Sequence, residues 1–389
     1  MKFKFKNLKF IDQDEKIKVI FMKYFYFHFT KKELGTIADF KIKKRTIEFL
    51  TKKDVKKKFN FLLEKGFTRL KSFTGKPATY IHMNSGIPLV GSNEFGIVDR
   101  GTNFLEIKPI TTCNLDCIYC SVDHSRRLRD FVVEEDYIIQ ELEKILPIKK
   151  NKVNIHIGGQ GEPLMYKDIV RLTRHLRKIG KINTISVNTN GVLLYKRLST
   201  RLVKAGMTHF HISLNAFTQE KADEISCRDY PLKRVKRIAA YLAKKANVVL
   251  VPVWIPSVND DEIVKIIKFA KKIKAKIGIQ NFLEHKLGKK PVNPLPMKVF
   301  DQRLAQLQER HDFDLKNLGG DLKIVPDNAL KKPFRKNQVI EVNIKTDGRL
   351  KNTKIGVSEN RVVTVLNCSK SGRVKAKIIR DKDNIFVAV

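Results

Sequence analysis

The sequence is poor in cysteine, in long apolar runs and in acidic side chains, and each shortage excludes a class of protein. Only five cysteines occur in 389 residues, too few for the disulfide framework of a small secreted domain. No apolar run approaches the roughly 20 residues that a bilayer-spanning helix needs. The first residues alternate lysine with phenylalanine and lack the continuous apolar stretch of a signal peptide. We therefore expect a cytoplasmic protein that does not cross a membrane.

Acidic residues are outnumbered by basic ones across the chain. There are 78 lysines and arginines against 40 aspartates and glutamates, a net charge of +38. A positive field of this size favours a polyanionic partner, because lysine and arginine contacts to phosphate give affinity that does not depend on sequence. The alternative is a general lysine bias with solvated lysines on every face. Hydrophobic residues still make up 42% of the chain, enough for a core and for two or three domains.

Three of the five cysteines lie on one short loop, at Cys113, Cys117 and Cys120. The apolar run before them predicts a strand that ends where the loop begins. Three thiolates on one loop can hold three corners of a cuboidal iron–sulfur cluster and leave one iron for a small molecule. Zinc is the alternative, but a structural zinc site is usually closed by four ligands, commonly in two pairs, and the sequence has no second pair. The flat ring of Tyr119 is suited to pack against an adenine beside such a cluster.

The spacing Cys113-x3-Cys117-x-Tyr119-Cys120 resembles the cluster motif of the radical S-adenosylmethionine (SAM) enzymes. The resemblance covers about residues 97–285 and suggests kinship with archaeal Fe–S oxidoreductases of the wyosine-synthase type. It implies that the three cysteines hold a [4Fe–4S] cluster and that SAM binds the open iron. It further implies an electron donor such as ferredoxin or flavodoxin, reductive cleavage of SAM, and a 5′-deoxyadenosyl radical that takes hydrogen from the substrate.

Apolar strands alternate with amphipathic helices between about Phe104 and Phe282. This alternation is typical of βα units around a parallel sheet. Six units favour a partial (β/α)6 barrel over an eightfold one, and in such folds ligands bind at the carboxyl ends of the strands. The predicted strands are 104–110, 153–157, 184–188, 209–214, 247–253 and 277–282. The predicted helices are 134–146, 167–179, 195–205, 220–226, 231–246 and 260–274.

Glycine-rich and polar segments follow several of these strands. The segment Gly158-Gly159-Gln160-Gly161-Glu162-Pro163 resembles the family's Gly-Gly-Glu-Pro element with one residue inserted, which implies contacts to the amino group of SAM. The Asn-Thr-Asn-Gly segment at 188–191 resembles a second family element, although Asn-Gly also forms ordinary turns. Ser213 and Asn215 share one face of the fourth strand, where family members bind the SAM ribose and carboxylate. The residues predicted to bind SAM are Tyr119, Gly159, Gly161, Glu162, Asn190, Ser213, Asn215 and Gln280.

The remaining parts of the chain flank this core of residues 104–300. Residues 1–75 carry 21 lysines and arginines against 8 acidic residues, and we expect a basic α/β module there. Within it, Thr30 and Glu33 predict a helix-starting capping box, and residues 52–65 predict an amphipathic helix that ends at Gly66. Residues 76–103 are rich in glycine, proline, serine and asparagine and predict a linker. Residues 301–330 are expected to be a connecting segment.

Residues 331–389 contain short alternating strands at regular spacing, typical of a small β-barrel. They resemble a TRAM domain, an OB-like module of several tRNA-modifying enzymes, and carry 15 basic against 5 acidic residues. A lysine-rich loop at 284–296 is a second candidate for binding phosphate, with a solvated loop as the alternative. The residues predicted to bind RNA are Lys286, Lys289, Lys290, Arg361, Arg373 and Lys375.

Taken together, these features predict a radical SAM enzyme that modifies RNA, in particular a tRNA base. RNA is favoured over duplex DNA because unpaired loops expose their bases without the cost of unstacking a helix. One alternative keeps the chemistry but places it on a peptide or protein side chain. Another is a non-catalytic RNA-binding protein whose cluster is structural or redox-sensing. The roles of Cys227 and Cys368 stay open between a second catalytic cysteine and an ordinary buried thiol.

Overall fold

The amino-terminal part of the chain consists of two small antiparallel sheets and two short helices. The computed structural model describes residues 1–317 and 322–389. The first elements are β1 (Lys2–Lys4), β2 (Leu8–Gln13), β3 (Lys16–Phe21), β4 (Phe25–Thr30), α1 (Lys31–Gly35), β5 (Phe40–Lys43), β6 (Thr46–Phe49), α2 (Lys56–Thr68) and β7 (Lys71–Ser72). The strand orders are β1-β6-β5 and β2-β3-β4-β7. Alternate residues of β3 are buried, as expected of a strand with one face on the core.

Helices α1 and α2 test two local predictions. The capping box is confirmed, because Glu33 N donates to Thr30 Oγ1 at 3.0 Å and Thr30 N donates to Glu33 Oε2 at 2.9 Å. The predicted helix end at Gly66 is wrong, since α2 continues through it to Thr68. A Cβ at Gly66 would lie 2.5 Å from Cε2 of Phe27. This glycine therefore permits close packing of the helix on β4.

Residues 76–103 form part of the folded core, and the expected linker is wrong. The two strands in this range pair with strands further along the chain: β8 (Ala78–Ile81) with β11 (Asp130–Val133), and β9 (Gly96–Asp99) with β10 (Phe104–Lys108). The glycines that suggested a flexible connection instead allow backbones to approach each other. A Cβ at Gly96 would lie 2.1 Å from the carbonyl oxygen of Leu89.

A parallel sheet with consecutive strands forms the centre of the molecule. Besides β9 and β10, the sheet contains β12 (Val153–Ile157), β13 (Ile182–Thr189), β14 (His209–Ile212), β15 (Asn247–Leu250) and β17 (Lys276–Ile277). Two further strands, β16 (Val253–Trp254) and β18 (Gln280–Asn281), pair with each other. The sheet order is β17-β15-β14-β13-β12-β10-β9, parallel except for β9. Six parallel strands in chain order agree with the predicted (β/α)6 topology. The predicted sixth strand is split into β17 and β18, and β18 pairs with β16 instead.

The helices between the strands occur where the periodicity of apolar residues predicts them. They are α3 (Glu135–Ile145), α4 (Ile169–Lys178), α5 (Lys196–Ala205), α6 (Gln219–Ser226), α7 (Leu232–Ala243) and α8 (Asp260–Ile273). In α4, Leu172 and Leu176 are buried while Arg174 and Arg177 are exposed, which is the pattern of a helix lying on a sheet. No helix in the described part of the chain has the length and apolar character needed to cross a bilayer.

The segment after the core begins with α9 (Met297–His311), which crosses the predicted end of the core. Beyond the helix, Lys316 forms a β-bridge with Gly278 of the central domain. The expected connecting segment at 301–330 therefore packs along the core where it is described. Its residues 318–321 lie outside the described residues.

The carboxyl-terminal strands close into a five-stranded barrel, which confirms the predicted small β-barrel. They are β19 (Val339–Asp347), β20 (Thr353–Ser358), β21 (Arg361–Leu366), β22 (Gly372–Arg380) and β23 (Val387–Ala388), in the order β19-β20-β21-β23-β22. The barrel has its own small core around Phe334 and Phe386. It is also docked on the rest of the chain, because Val362 N donates to Val90 O at 2.8 Å and Phe386 N donates to Gly91 O at 2.9 Å.

Candidate active site

The loop that carries three cysteines lies at the carboxyl end of β10. Asp116 N donates to Ser226 O at 3.2 Å, which fixes the middle of the loop on the end of α6. Cys120 N donates to Cys117 O at 3.2 Å and closes a tight turn between the last two cysteines. The three thiols are free and partly buried. The loop therefore presents them together at the end of the sheet where parallel α/β folds bind ligands.

The thiols of this loop influence one another electrostatically. Burial raises the pKa of Cys113 to about 12, and Glu162 adds to the effect. Burial also raises the pKa of Cys117, with further contributions from Cys113 and Cys120. A bound cationic metal reverses this trend, because it stabilises the thiolate over the thiol. Three such thiols on one loop fit a metal-ligand set.

The spacing of the sulfur atoms favours an iron–sulfur cluster over a single zinc ion. Tetrahedral zinc at Zn–S distances of about 2.3 Å holds its sulfur ligands roughly 3.8 Å apart. Among the described residues, the only ligand atoms that gather within 4.8 Å of one another in a group of three belong to Glu135, Asp136 and His175. At least one pair of the three cysteine sulfurs is therefore more than 4.8 Å apart. A cuboidal cluster binds each cysteine on a different iron and fits this wider spacing.

Glu162 connects three segments at the end of the sheet. Its Oε1 accepts from Leu164 N at 2.9 Å and from Thr189 Oγ1 at 2.7 Å, and its Oε2 accepts from Asn190 N at 2.8 Å. Its own backbone N–H donates to Thr112 O at 3.0 Å. Burial raises the pKa of Glu162 to about 7, although these hydrogen bonds oppose the rise. Glu162 therefore links the segment after β12 to the end of β13 through its carboxylate and to the start of the cysteine loop through its backbone N–H.

The two predicted glycines beside Glu162 make close contacts with the strand that leads to the cysteines. A Cβ at Gly161 would lie 2.5 Å from the carbonyl carbon of Thr111 and 2.7 Å from the oxygen of Thr112. Gly159 adopts a φ of +125°, and a Cβ there would lie 3.1 Å from Cγ of Lys108. Packing against backbone atoms therefore requires glycine at Gly161, and the positive φ favours glycine at Gly159.

Four of the residues predicted to bind SAM meet at one small cavity. Tyr119, Asn190, Ser213 and Asn215 line this cavity of about 20 Å³ together with Cys117. Asn215 Nδ2 donates to the Tyr119 hydroxyl at 2.7 Å. The sequence distance between these two residues is 96, so the fold brings them together as the strand-end argument predicts.

A second, larger cavity of about 690 Å³ lies over the inner face of the sheet. Polar side chains from successive strands line it, together with two residues predicted to bind SAM: Glu106, Lys108, His156, Asn188, His211, Gly159 and Gln280. This polar interior offers room for a ligand beside the cysteine loop. Gly159 and Gln280 line this large cavity, whereas the four predicted residues named above line the small one.

Two histidines of the large cavity, the half-buried His156 and the buried His211, were not among the predicted site residues. Burial lowers the pKa of His156 to about 4 and that of His211 to about 3, so both rings are neutral at pH 7. His156 Nδ1 lies 2.8 Å from Ser186 Oγ, and the two imidazole centroids are 5.5 Å apart. Alternation along each strand is the signal that places such residues on the inner face.

The lysine-rich loop predicted to bind RNA packs against the cysteine loop. Lys289 N donates to Cys120 O at 3.0 Å, and Lys289 Nζ donates to Asp116 O and Oδ1, both at 2.7 Å. Lys290 is paired with Glu284, and Lys286 is exposed. In this structure, Lys289 therefore braces the cysteine loop.

The three predicted RNA-binding residues of the barrel lie on β21 and β22. Arg361 Nη2 donates to Lys331 O at 3.2 Å. Arg373 is exposed and lies 3.5 Å from Glu341, and Lys375 is exposed on the same face of β22. Exposed pairs of this kind are weak, so both β22 cations remain available to an anionic partner.

Of the remaining two cysteines, Cys227 directly follows Ser226, which contacts the cysteine loop, and Cys368 lies in the barrel. Cys227 is exposed and ends α6 in a left-handed conformation with φ of 51°, so its interpretation as a buried thiol is wrong. Cys368 is partly buried against the barrel core.

The chain is similar to several known proteins. Residues 107–270 match the family model of the radical SAM superfamily. The uncharacterized protein MJ0103 of Methanocaldococcus jannaschii is 33% identical over 82% of each chain. A probable GTP 3′,8-cyclase of Pyrococcus abyssi is 27% identical over 74% of this chain and 88% of its own length. Among solved structures, archaeal TYW1 gives a TM-score of 0.39 at 15% identity, covering 57% of this chain and 77% of its own.

The chain belongs to the radical SAM superfamily. The matched region contains the cysteine loop and most of the parallel sheet. The cofactors of this protein are a [4Fe–4S] cluster and S-adenosylmethionine. Members of the superfamily are enzymes. The predictions of the radical SAM superfamily and of both cofactors are confirmed at this level, and the wyosine-synthase-like branch stays a prediction.

Proposed function

We propose that this radical SAM enzyme modifies RNA, in particular a base of tRNA. When bound, the cluster and SAM supply a 5′-deoxyadenosyl radical after one electron arrives from a donor such as ferredoxin or flavodoxin. The protein's contribution is to hold the cofactors, exclude water and orient the substrate. Cys113, Cys117 and Cys120 would hold the cluster. Tyr119 and the polar residues at the strand ends would hold SAM.

The observation that carries the RNA target is the exposed excess of positive charge. The net charge is +38, and lysines of two separate elements face solvent. On α2, Lys56, Lys57 and Lys58 are exposed, and on β22, Lys375 and Lys377 are exposed. Clusters of exposed lysines on separate elements suit the long phosphate backbone of a folded RNA.

The topology of the barrel supports an OB-like, TRAM-like module. Its last strand lies between the third and the fourth, as a Greek-key connection requires, and the barrel has five strands. OB-folds are five-stranded Greek-key barrels that bind oligonucleotides. The exposed cations of β22 would contact the RNA backbone there.

The interior of the large cavity is suited to a heteroaromatic ring. The neutral rings of His156 and His211 can each donate or accept one hydrogen bond, and Asn188 adds an amide. The ring of Phe104 lies 5.5 Å from His156 at an interplanar angle of 27°, so a flat surface lines one side. A base flipped out of an RNA loop could be read in this way.

A free nucleotide is the second candidate substrate. The relative from Pyrococcus abyssi is named as a probable GTP 3′,8-cyclase and matches 74% of this chain. The ring-lined cavity accepts a nucleobase whether or not it is part of a polymer. Under this alternative the exposed lysines would not affect turnover.

The test is the formation of 5′-deoxyadenosine by anaerobically reconstituted holoenzyme with a chemical reductant. Bulk tRNA, GTP and a mixed peptide pool are supplied separately, and Cys117→Ser is the inactive control. We expect formation to rise several-fold with tRNA only. Stimulation by GTP alone supports the second candidate, stimulation by peptides supports a peptide target, and an absence of SAM cleavage under every condition contradicts an enzyme.

A further inference from the structure

One arginine of the carboxyl-terminal barrel is buried beside the cysteine loop. Arg349 lies in the turn between β19 and β20 and is only 2% exposed. Its carbonyl oxygen accepts from Leu128 N at 2.8 Å, and Arg129 Nη2 donates to Asp347 Oδ2 at 3.2 Å. A Cβ at Gly348 would lie 2.2 Å from Thr353 Oγ1, so the turn is tight. The barrel thus inserts this turn into the central domain.

The guanidinium of Arg349 reaches the segment that surrounds the cysteines. Its Nη2 donates to Gln160 O at 3.0 Å, and Arg127 Nη2 donates to the same oxygen at 3.0 Å. Arg127 is also paired with Asp130 at 3.0 Å. Arg349 interacts electrostatically with Cys120, and Arg127 does so with Cys113. Two cations are therefore near enough to the predicted cluster ligands to interact with them electrostatically.

The charge of Arg349 is only partly compensated by the described part of the protein, where Asp130, already paired with Arg127, acts on it electrostatically without forming an ion pair with it. Its Nε and Nη1 have no hydrogen-bond partner there, and no carboxylate within residues 1–317 and 322–389 forms an ion pair with it. Glu94 is near enough to interact electrostatically, but burial raises its pKa and its Oε2 is also unpartnered. Burial lowers the pKa of Arg349 to about 9, with Arg127 adding to the effect, so the side chain is still cationic at pH 7.

A buried cation without a partner is costly, and such groups are normally paired or bound to a ligand. Three thiolates outweigh the charge of an oxidised cubane cluster, so the assembled centre is anionic, and one-electron reduction makes it more so. The cluster therefore supplies the charge that Arg349 lacks. A fixed cation near it stabilises the reduced form more than the oxidised form.

We propose that the carboxyl-terminal barrel completes the cluster site by placing Arg349 as the buried counter-charge of the cluster. Arg349 is a positioning and electrostatic residue that raises the reduction potential of the cluster and helps retain it. Arg127, already paired with Asp130, has a smaller share in this effect. The inference rests on the cluster and does not depend on whether the substrate is RNA, a nucleotide or a peptide.

The test compares Arg349→Met with Arg349→Lys, which keeps the charge, and with Arg373→Met, which removes an exposed charge of the same barrel. The midpoint potential is measured on the holo-protein by titration followed with electron paramagnetic resonance. We expect Arg349→Met to lower the equilibrium constant for reduction about tenfold, which is 59 mV for one electron. We expect Arg349→Lys to retain most of the wild-type potential and Arg373→Met to match the wild type.

Unfolding of the apo-protein and of the holo-protein separates this role from a merely structural one. Without the cluster, Arg349→Met removes a buried charge that has no ion-pair partner among the described residues, so its unfolding midpoint should equal or exceed that of the wild type. With the cluster, it should unfold earlier and lose iron faster. An unchanged potential in Arg349→Met overturns the proposal. Equal destabilisation of its apo- and holo-forms also overturns the proposal. So does an Arg349→Lys variant that assembles no more cluster than Arg349→Met.

Discussion

At the scale of residues, the site depends on atoms that hold the cysteine loop in place. The spacing of the cysteines is a local signal, and the sequence predicted it together with the family. Arg349 left no such signal, because it contacts Gln160 across 189 residues of sequence. Its neighbours in the chain indicate only a turn. Residues that act through distant contacts are therefore the part of the site that sequence reasoning misses.

Glu162 makes stability depend on pH. Its pKa is raised to about 7 in the folded protein against an ordinary value of 4.5, so between these values the unfolded chain releases its proton first. The stabilising contribution is full below about pH 4.5 and is lost as pH rises to about 7. Its upper limit is about 3 kcal/mol, at 1.36 kcal/mol per pKa unit. The measured quantity is the difference in free energy of unfolding between the apo wild type and apo Glu162→Gln. We expect this difference to fall by up to about 3 kcal/mol as the pH rises from about 4.5 to about 7.

Chemical denaturation of the apo-protein at several pH values measures this difference. Glu64→Gln, at an exposed position of α2, is the matched control and should show no such trend. A difference between wild type and Glu162→Gln that stays constant or grows with pH would falsify the prediction.

Gly161 is expected to be essential for cluster assembly. The added Cβ of Gly161→Ala would meet backbone atoms of Thr111 and Thr112 at 2.5 and 2.7 Å, below any normal contact distance. The start of the cysteine loop must then move, and the thiols lose their common geometry. We expect Gly161→Ala to retain less than half of the wild-type iron and sulfide per chain after reconstitution. Gly180→Ala is the control, because its Cβ would meet nothing within 4 Å, and iron loss in both variants would contradict the reasoning.

At the scale of elements, the strongly periodic segments were predicted well and the glycine-rich segment was not. The helix predicted at 260–274 is observed as Asp260–Ile273, because its apolar residues recur at the helical period. The expected linker at 76–103 was wrong for a physical reason. Glycine allows backbones to approach closely there. Composition alone does not distinguish a segment that uses glycine in this way from a flexible linker.

Gly91 illustrates this use of glycine and is expected to control docking of the barrel. Its φ is +123°, and a Cβ would lie 2.2 Å from Val362 O, a backbone atom of β21. We expect Gly91→Ala to destabilise the protein by more than about 2 kcal/mol, since backbone strain adds to the overpacking. Gly75→Ala is the control, with a φ of +84° and nothing within 4 Å, and should show only the strain. Denaturant titration measures both, and equal losses would exclude the contact as the cause.

At the scale of the whole molecule, the three parts predicted as separate units contribute residues to one continuous hydrophobic core. The main core extends from Leu8 to Val362, so it includes the amino-terminal module, the supposed linker and two residues of the barrel. The strand order and the barrel were predictable from local patterns. The docking of the parts was not predictable, because it depends on contacts between residues far apart in the chain, such as Val362 and Val90.

The charge of the whole molecule leads to a prediction about salt. Lys375 and Lys377 face the same side of β22 and are exposed. Each phosphate contact contributes about 0.7 to 0.9 to the slope of log affinity against log salt. If both lysines contact RNA, Lys375→Gln/Lys377→Gln should weaken tRNA binding and lower this slope by about 1.5.

The matched control is Lys268→Gln/Lys272→Gln, which removes an equal exposed charge from α8. Filter binding at several salt concentrations gives the slopes of the wild type and of both variants. Equal slopes for the two variants would mean that the charge acts only as a diffuse field, and the barrel would then lose its assigned role in binding RNA.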